Sequence, residues 1–241
     1  VYKRQMEIMT RLLFVFFISV VHLNMMAQNP LAITGQVKCQ GYGVANVVVT
    51  NGFDCVLTDA SGKYTIPYHR DARFVYVTTP AGYLPQRDGS LPLFYQHIIE
   101  GTFIYDFSLV KNQRNDDRHL FLVQADVQLG KGEDVAAYAE YLKDMREFIN
   151  RHSEYDLFVL DCGDIVGNAL SLFPSYKQTS DVLDVPMYRV IGNHDMEYGV
   201  RSYEHSYKTY EECFGPIYYS FNRGKAHYIV LDNCYYINRN Y

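Results

Sequence analysis

From Leu31 to about Asn112 the apolar positions fall in short runs rich in Val, Tyr and Thr, among them 44–50, 63–68 and 74–79. Asn51-Gly52 and Ser61-Gly62 are turn pairs between such runs, so this half predicts a small antiparallel β-sandwich. The pattern changes at His119. Leu120-Phe121-Leu122-Val123, Leu157-Phe158-Val159-Leu160 and 185–191 are unbroken apolar runs, as in parallel strands buried on both faces. After the first of them Val135, Tyr138, Leu142, Met145 and Ile149 recur at gaps of three and four, one face of a helix. Glu133 and Asp134 precede that face, and their charge suits the positive end of the helix dipole. Strand and helix alternating in this way predict a βαβαβ core with helices on both faces. Two further apolar runs, 217–221 and 226–231, read as neighbouring strands.

These shifts divide the chain into a β-sandwich at 28–112, a polar linker at 113–118 and an α/β domain at 119–241. Ahead of them, residues 6–27 carry a basic Arg11, an apolar run at 12–21 and then Met25-Met26-Ala27. That is the form of a secretory signal peptide, with an apolar core about half the ~20 residues a membrane span needs. Export is therefore expected, periplasmic or secreted, with no transmembrane segment after cleavage. Residues 1–5 precede the first Met and carry no fold argument. The last apolar run stops shortly before Tyr241, so a further C-terminal portion of the α/β domain is expected.

A formal net charge of -5 supplies no basic field for gripping nucleic acid. The five cysteines, Cys39, Cys55, Cys162, Cys213 and Cys234, include no C-x-x-C pair, which argues against a thiolate zinc site and leaves any disulfide pairing open. Tyr42, Tyr83 and Tyr95 stand near Gly or Pro in the sandwich and are the candidates for a glycan or partner contact there.

Chemistry concentrates just past the three buried strands. Asp126-Val127-Gln128 follows the first, Gly163-Asp164 the second and Gly192-Asn193-His194-Asp195 the third. Side chains at the carboxyl ends of strands in an open α/β sheet line the crevice where ligands bind. The intervals between them exceed the roughly dozen residues that a parallel crossover requires. In order and spacing the set resembles the calcineurin-like metallophosphoesterases, whose motifs run D-x-H, G-D and G-N-H-[DE]. The runs 34–37, 47–52 and 58–64 likewise resemble a carboxypeptidase regulatory-like, or transthyretin-like, β-sandwich.

The resemblance implies a two-sheet α/β sandwich and a centre of two divalent metal ions, Mn, Fe or Zn. Asp126 and Gln128 would bind one metal, Asp164 would bridge both, and Asn193 would bind the second. His194 would be the general acid, with Asp195 holding its other ring nitrogen, while hydroxide shared by the metals attacks the phosphorus of a small-molecule phosphate ester. Two features depart from the family. Gln128 stands where a histidine is usual, and the later G-H and G-H-x-H histidines do not follow Leu231, so this stretch alone is expected to be inactive or weak. The Arg of G-D-x-V-D-R-G and the Tyr ligand of purple acid phosphatases are also missing from 163–168. A diesterase or monoesterase is the leading expectation. A pyrophosphatase on nucleotide diphosphate derivatives and a non-enzymatic scaffold whose sandwich binds a glycan or partner are the alternatives.

Overall fold

The computed structural model describes residues 31–234, so the expected signal peptide at 1–27 lies outside it. The N-terminal module holds ten strands: β1 (Ala32–Cys39), β2 (Tyr42–Gly43), β3 (Val48–Thr50), β4 (Cys55–Leu57), β5 (Lys63–Pro67), β6 (Phe74–Thr78), β7 (Tyr83–Asp88), β8 (Leu91–Leu93), β9 (Tyr95–His97) and β10 (Phe107–Lys111). One sheet runs β2-β1-β10-β7-β8 with β5 also on β1, and the other runs β4-β3-β6-β9. Ile33, Val37, Val49, Ile66 and Val77 are fully buried between them. The expected turns form for local reasons. Asn51 Oδ1 accepts the N–H groups of Phe53 (3.0 Å) and Asp54 (2.8 Å), with Gly52 supplying a φ of 90°. The sandwich is not wholly antiparallel, because β1 and β10, its first and last strands, pair in parallel.

In the second module β11 (His119–Gln124), β12 (Asp156–Asp161) and β13 (Met187–Arg189) form a parallel sheet in chain order. Helix α1 (Gly132–Arg151) buries Tyr138, Leu142, Met145 and Ile149. Its start is fixed by Asp134, whose Oδ2 accepts the N–H groups of Gly130 (2.9 Å) and Lys131 (3.0 Å). Helix α2 (Phe173–Ser180) covers the second crossover, and α3 (Tyr203–Ser206) and α4 (Lys208–Phe214) precede the hairpin β14 (Tyr219–Arg223) and β15 (Ala226–Val230).

The helices do not take both faces of the sheet, contrary to expectation. Leu157, Val159 and Met187 meet α1, α2 and α4 in one core, while Phe158 and Tyr188 point the other way. Right-handed crossovers between strands laid down in chain order put their helices on the same side. The vacated face is filled by aromatics. Tyr188 stacks on Phe221 of β14 at 3.8 Å, and Phe94 of the sandwich lies 4.6 Å from Tyr219.

The segment read as a linker has no regular structure, yet it is fastened at both sides. Asp116 is buried, its Oδ2 accepts the Gly82 N–H (2.5 Å) and its carbonyl lies 2.7 Å from His119 Nδ1. The modules also share backbone pairing, since the Asn222 N–H donates to Thr79 O at 2.9 Å. Tyr42 and Tyr83 border one shallow hollow, whereas Tyr95 packs edge-on against Phe74, so the three tyrosines make no common platform. All five cysteines are free thiols, and among the described residues no helix is long and apolar enough to cross a membrane.

Candidate metal centre

The strands β11, β12 and β13 end side by side, and the chain past each one turns sharply. Asp126, Gln128 and Asp164 all adopt positive φ, 56°, 46° and 53°. Such a backbone is uncommon for side-chain-bearing residues and persists only where the surroundings hold it. Here the loops hold one another. The Asp126 N–H donates to Gly163 O (3.0 Å), the Gln128 N–H to Asp164 O (2.9 Å) and the Leu129 N–H to Ile165 O (3.1 Å).

This lacing brings the first two motifs into one cluster. Gln128 Nε2 lies 3.3 Å from Asp126 Oδ1 and 3.4 Å from Asp164 Oδ2. Asp164 Oδ1 accepts the backbone N–H of His194 at 3.0 Å, which ties in the third motif. The approach depends on glycine: a Cβ on Gly192 would overlap the backbone N and Oδ1 of Asp164. Asn193 sits on the same 3-10 turn, half-buried.

Asp195 does other work than expected. Its carboxylate is fully buried and accepts the N–H groups of Val166 (3.0 Å) and Gly192 (2.9 Å), so it pins the second and third loops together. Burial pushes its pKa up to about 7 against the pull of those N–H groups. The ring of His194 is met instead by Asn168, whose Oδ1 lies 3.1 Å from Nδ1. With Asn168 Oδ1 as the acceptor, the tautomer that pairs with it carries its proton on Nδ1 and leaves Nε2 outside that contact. Asn168 lies in the 163–168 segment and itself has a φ of 64°, a conformation asparagine tolerates better than most residues; that preference was its only signal in the sequence.

Beneath the loops lies a second layer that the motifs did not announce. Asp161, the last residue of β12, is fully buried and accepts hydrogen bonds from Tyr176 Oη and from Gln124 Nε2 (2.6 Å). Burial raises its pKa, opposed by those two donors and by the nearby Arg189 charge. Arg189 in turn donates to Ser90 Oγ of the sandwich at 2.9 Å and lies 5.3 Å over the Tyr176 ring.

Among the described residues no group of three or more His, Cys, Asp and Glu is placed to hold a metal ion. The candidate donor set is instead mixed, two carboxylates with the amides of Gln128 and Asn193. Turning the Gln128 amide about its last torsion would aim Oε1 at the space between Asp126 and Asp164, and such an oxygen-rich set fits a hard or borderline divalent cation.

Residues 119–239 match the family described as calcineurin-like phosphoesterase, and residues 31–112 match the one described as the N terminal of calcineurin-like phosphoesterase. No curated protein matches the chain. Among solved structures, purple acid phosphatase PPD1 from yellow lupin (Lupinus luteus) seeds aligns at 13% identity with a TM-score of 0.36. That alignment covers 78% of this chain and 40% of the lupin chain, so this chain spans less than half of that protein's length.

Proposed function

The chain belongs to the calcineurin-like phosphoesterase family, and from that premise we propose that it serves metal-dependent hydrolysis of a small-molecule phosphoric ester. Asp126, Gln128, Asp164 and Asn193 would hold two divalent ions, Mn, Fe or Zn. Bound there, such ions polarise phosphoryl oxygens and supply a nucleophile at neutral pH. The observation that carries the reading is the position of Asp164. One of its oxygens faces Gln128, which also reaches Asp126, while the other holds the backbone of the turn bearing Asn193 and His194. One carboxylate thus gathers all three motifs.

His194 is the proton donor in this reading. With Asn168 Oδ1 holding Nδ1–H, protonated Nε2 delivers its proton to the departing oxygen of the ester. Asp195 acts through the backbone, keeping the loops of Asp164 and His194 in register. The leader-like stretch at 6–27 supports export as the setting.

The test is hydrolysis of bis- and mono-nitrophenyl phosphate and of ADP-ribose with added Mn²⁺, in wild type and Asp164→Asn. Turnover that falls more than about 100-fold in the variant, beyond what loss of an outer partner costs, supports the reading. Preference for ADP-ribose would assign the site to nucleotide diphosphate derivatives, as Gln128 in the histidine position suggests. No turnover of any of these substrates with Mn²⁺, Fe²⁺ or Zn²⁺ by a chain extended to include the later G-H and G-H-x-H histidines would leave the fold as a scaffold.

A further inference from the structure

A cleft of about 800 Å³ opens between the two modules at the opposite end of the parallel sheet from Asp164. Asp156, the first residue of β12, lines it, whereas Asp164 lies beyond the last; a strand of that length separates them by about 20 Å. Three arginines from three different segments line the cleft: Arg87 of β7, Arg114 after β10 and Arg146 of α1.

Their charges are not equally balanced. Arg87 pairs with Asp184 at 3.1 Å, and Asp156 is turned inward to the buried Arg223 at 3.2 Å. Arg114 and Arg146 have no carboxylate partner among the described residues. Each is anchored by one nitrogen to a neutral backbone carbonyl, Arg114 Nε to Ser153 O (2.8 Å) and Arg146 Nη1 to Leu183 O (2.5 Å). A guanidinium has five N–H donors in a planar fork, so anchoring one edge orients the rest while leaving the charge uncompensated. Apolar surface open to the cleft comes from Leu93 and Val110, both exposed, whereas Ile149 and Leu157 are nearly fully buried.

We propose that this cleft is a binding site for an amphiphilic organic anion, whose carboxylate or phosphate is gripped by Arg114 and Arg146 and whose apolar body lies along Leu93 and Val110. Two oriented guanidinium groups match the paired oxygens of either headgroup. A cleft lined by apolar side chains and a few polar groups suits a small ligand. Because the walls come from both modules, occupancy would also fasten the sandwich to the α/β domain.

The test is calorimetric titration of the full chain, with EDTA present to keep phosphate groups off the metal centre, using octanoate, octyl phosphate and inorganic phosphate at fixed ionic strength. Saturable one-to-one binding of an octyl ligand is expected, tighter than inorganic phosphate and weakened at least tenfold in Arg114→Gln/Arg146→Gln. The tighter of the two octyl ligands identifies the headgroup. If that double variant does not fold, Arg114→Lys/Arg146→Lys keeps the charges and stems and loses the fork, and a several-fold loss is still expected. Affinity unchanged in the folded variant, or no saturable binding up to about 10 mM, overturns the proposal.

Discussion

At the scale of single residues, the His194 ring is met from a different loop, by Asn168 Oδ1 at 3.1 Å from Nδ1. Asp126, Gln128, Asp164 and His194 stand where the strand ends were expected to deliver them, because a motif fixes residue identity at a turn. The partner of His194 could not be read in the same way. Asp195 is adjacent in sequence, but the turn sends its side chain into the backbone of the loops, and Asn168, from another loop, meets the ring. Asn168→Ala should therefore lower kcat by about 10-fold to 100-fold, the range for an outer partner that orients a functional ring, with KM little changed and the alkaline limb of the pH profile moved. Asn168→Asp keeps an acceptor and should restore most of the rate. Equal kcat in wild type and Asn168→Ala would remove the positioning role. Gly192→Ala tests the close approach itself. Its Cβ would displace Asp164, so weaker Mn²⁺ binding by calorimetry is expected together with a lower melting temperature.

At the scale of elements, periodicity announced α1 well, since the four positions that it buries were named by their spacing. Leu142, with no exposed surface, should cost about 2–5 kcal/mol on truncation to Ala in urea unfolding, as buried leucines do. The network at the end of β12 was hidden for the opposite reason. A run such as Leu157 to Leu160 announces burial but not that the following Asp161 is buried with it, and its donors Tyr176 and Gln124 come from other elements. Tyr176→Phe would leave Asp161 with one donor fewer in a closed interior. The expected loss is about 1–3 kcal/mol, the desolvation cost of a polar group deprived of a partner. Unfolding free energy unchanged by this substitution would mean that Tyr176 serves only as packing. The direction in which helices cover the sheet was also misread, because strand and helix alternation alone does not give the strand order that decides it.

At the scale of the whole molecule, composition showed two modules but not that they share a core, for an interface is written in pairs far apart in sequence. Arg73 of the sandwich meets Glu211 of α4 at 2.8 Å and donates to Tyr207 Oη at 2.9 Å. Burial pushes the Glu211 pKa up to about 6 from 4.5, against the opposing pull of the Arg73 charge and hydrogen bond. The folded chain thus holds a proton between pH 4.5 and 6 that the unfolded chain has released. The stability contributed by Glu211 is fully present below about pH 4.5 and declines as pH rises through about 6, by up to about 2 kcal/mol. Asp161 and Asp195 also have raised pKa values, so the wild-type curve alone does not isolate this group. Glu211→Gln does, since it mimics the protonated acid. Wild type and variant should melt together near pH 4.5, and the variant should become the more stable of the two by pH 7. A variant less stable at pH 7 would show that attraction to Arg73 outweighs the burial of the charge. The contact would then hold the sandwich against the α/β domain most firmly at neutral pH.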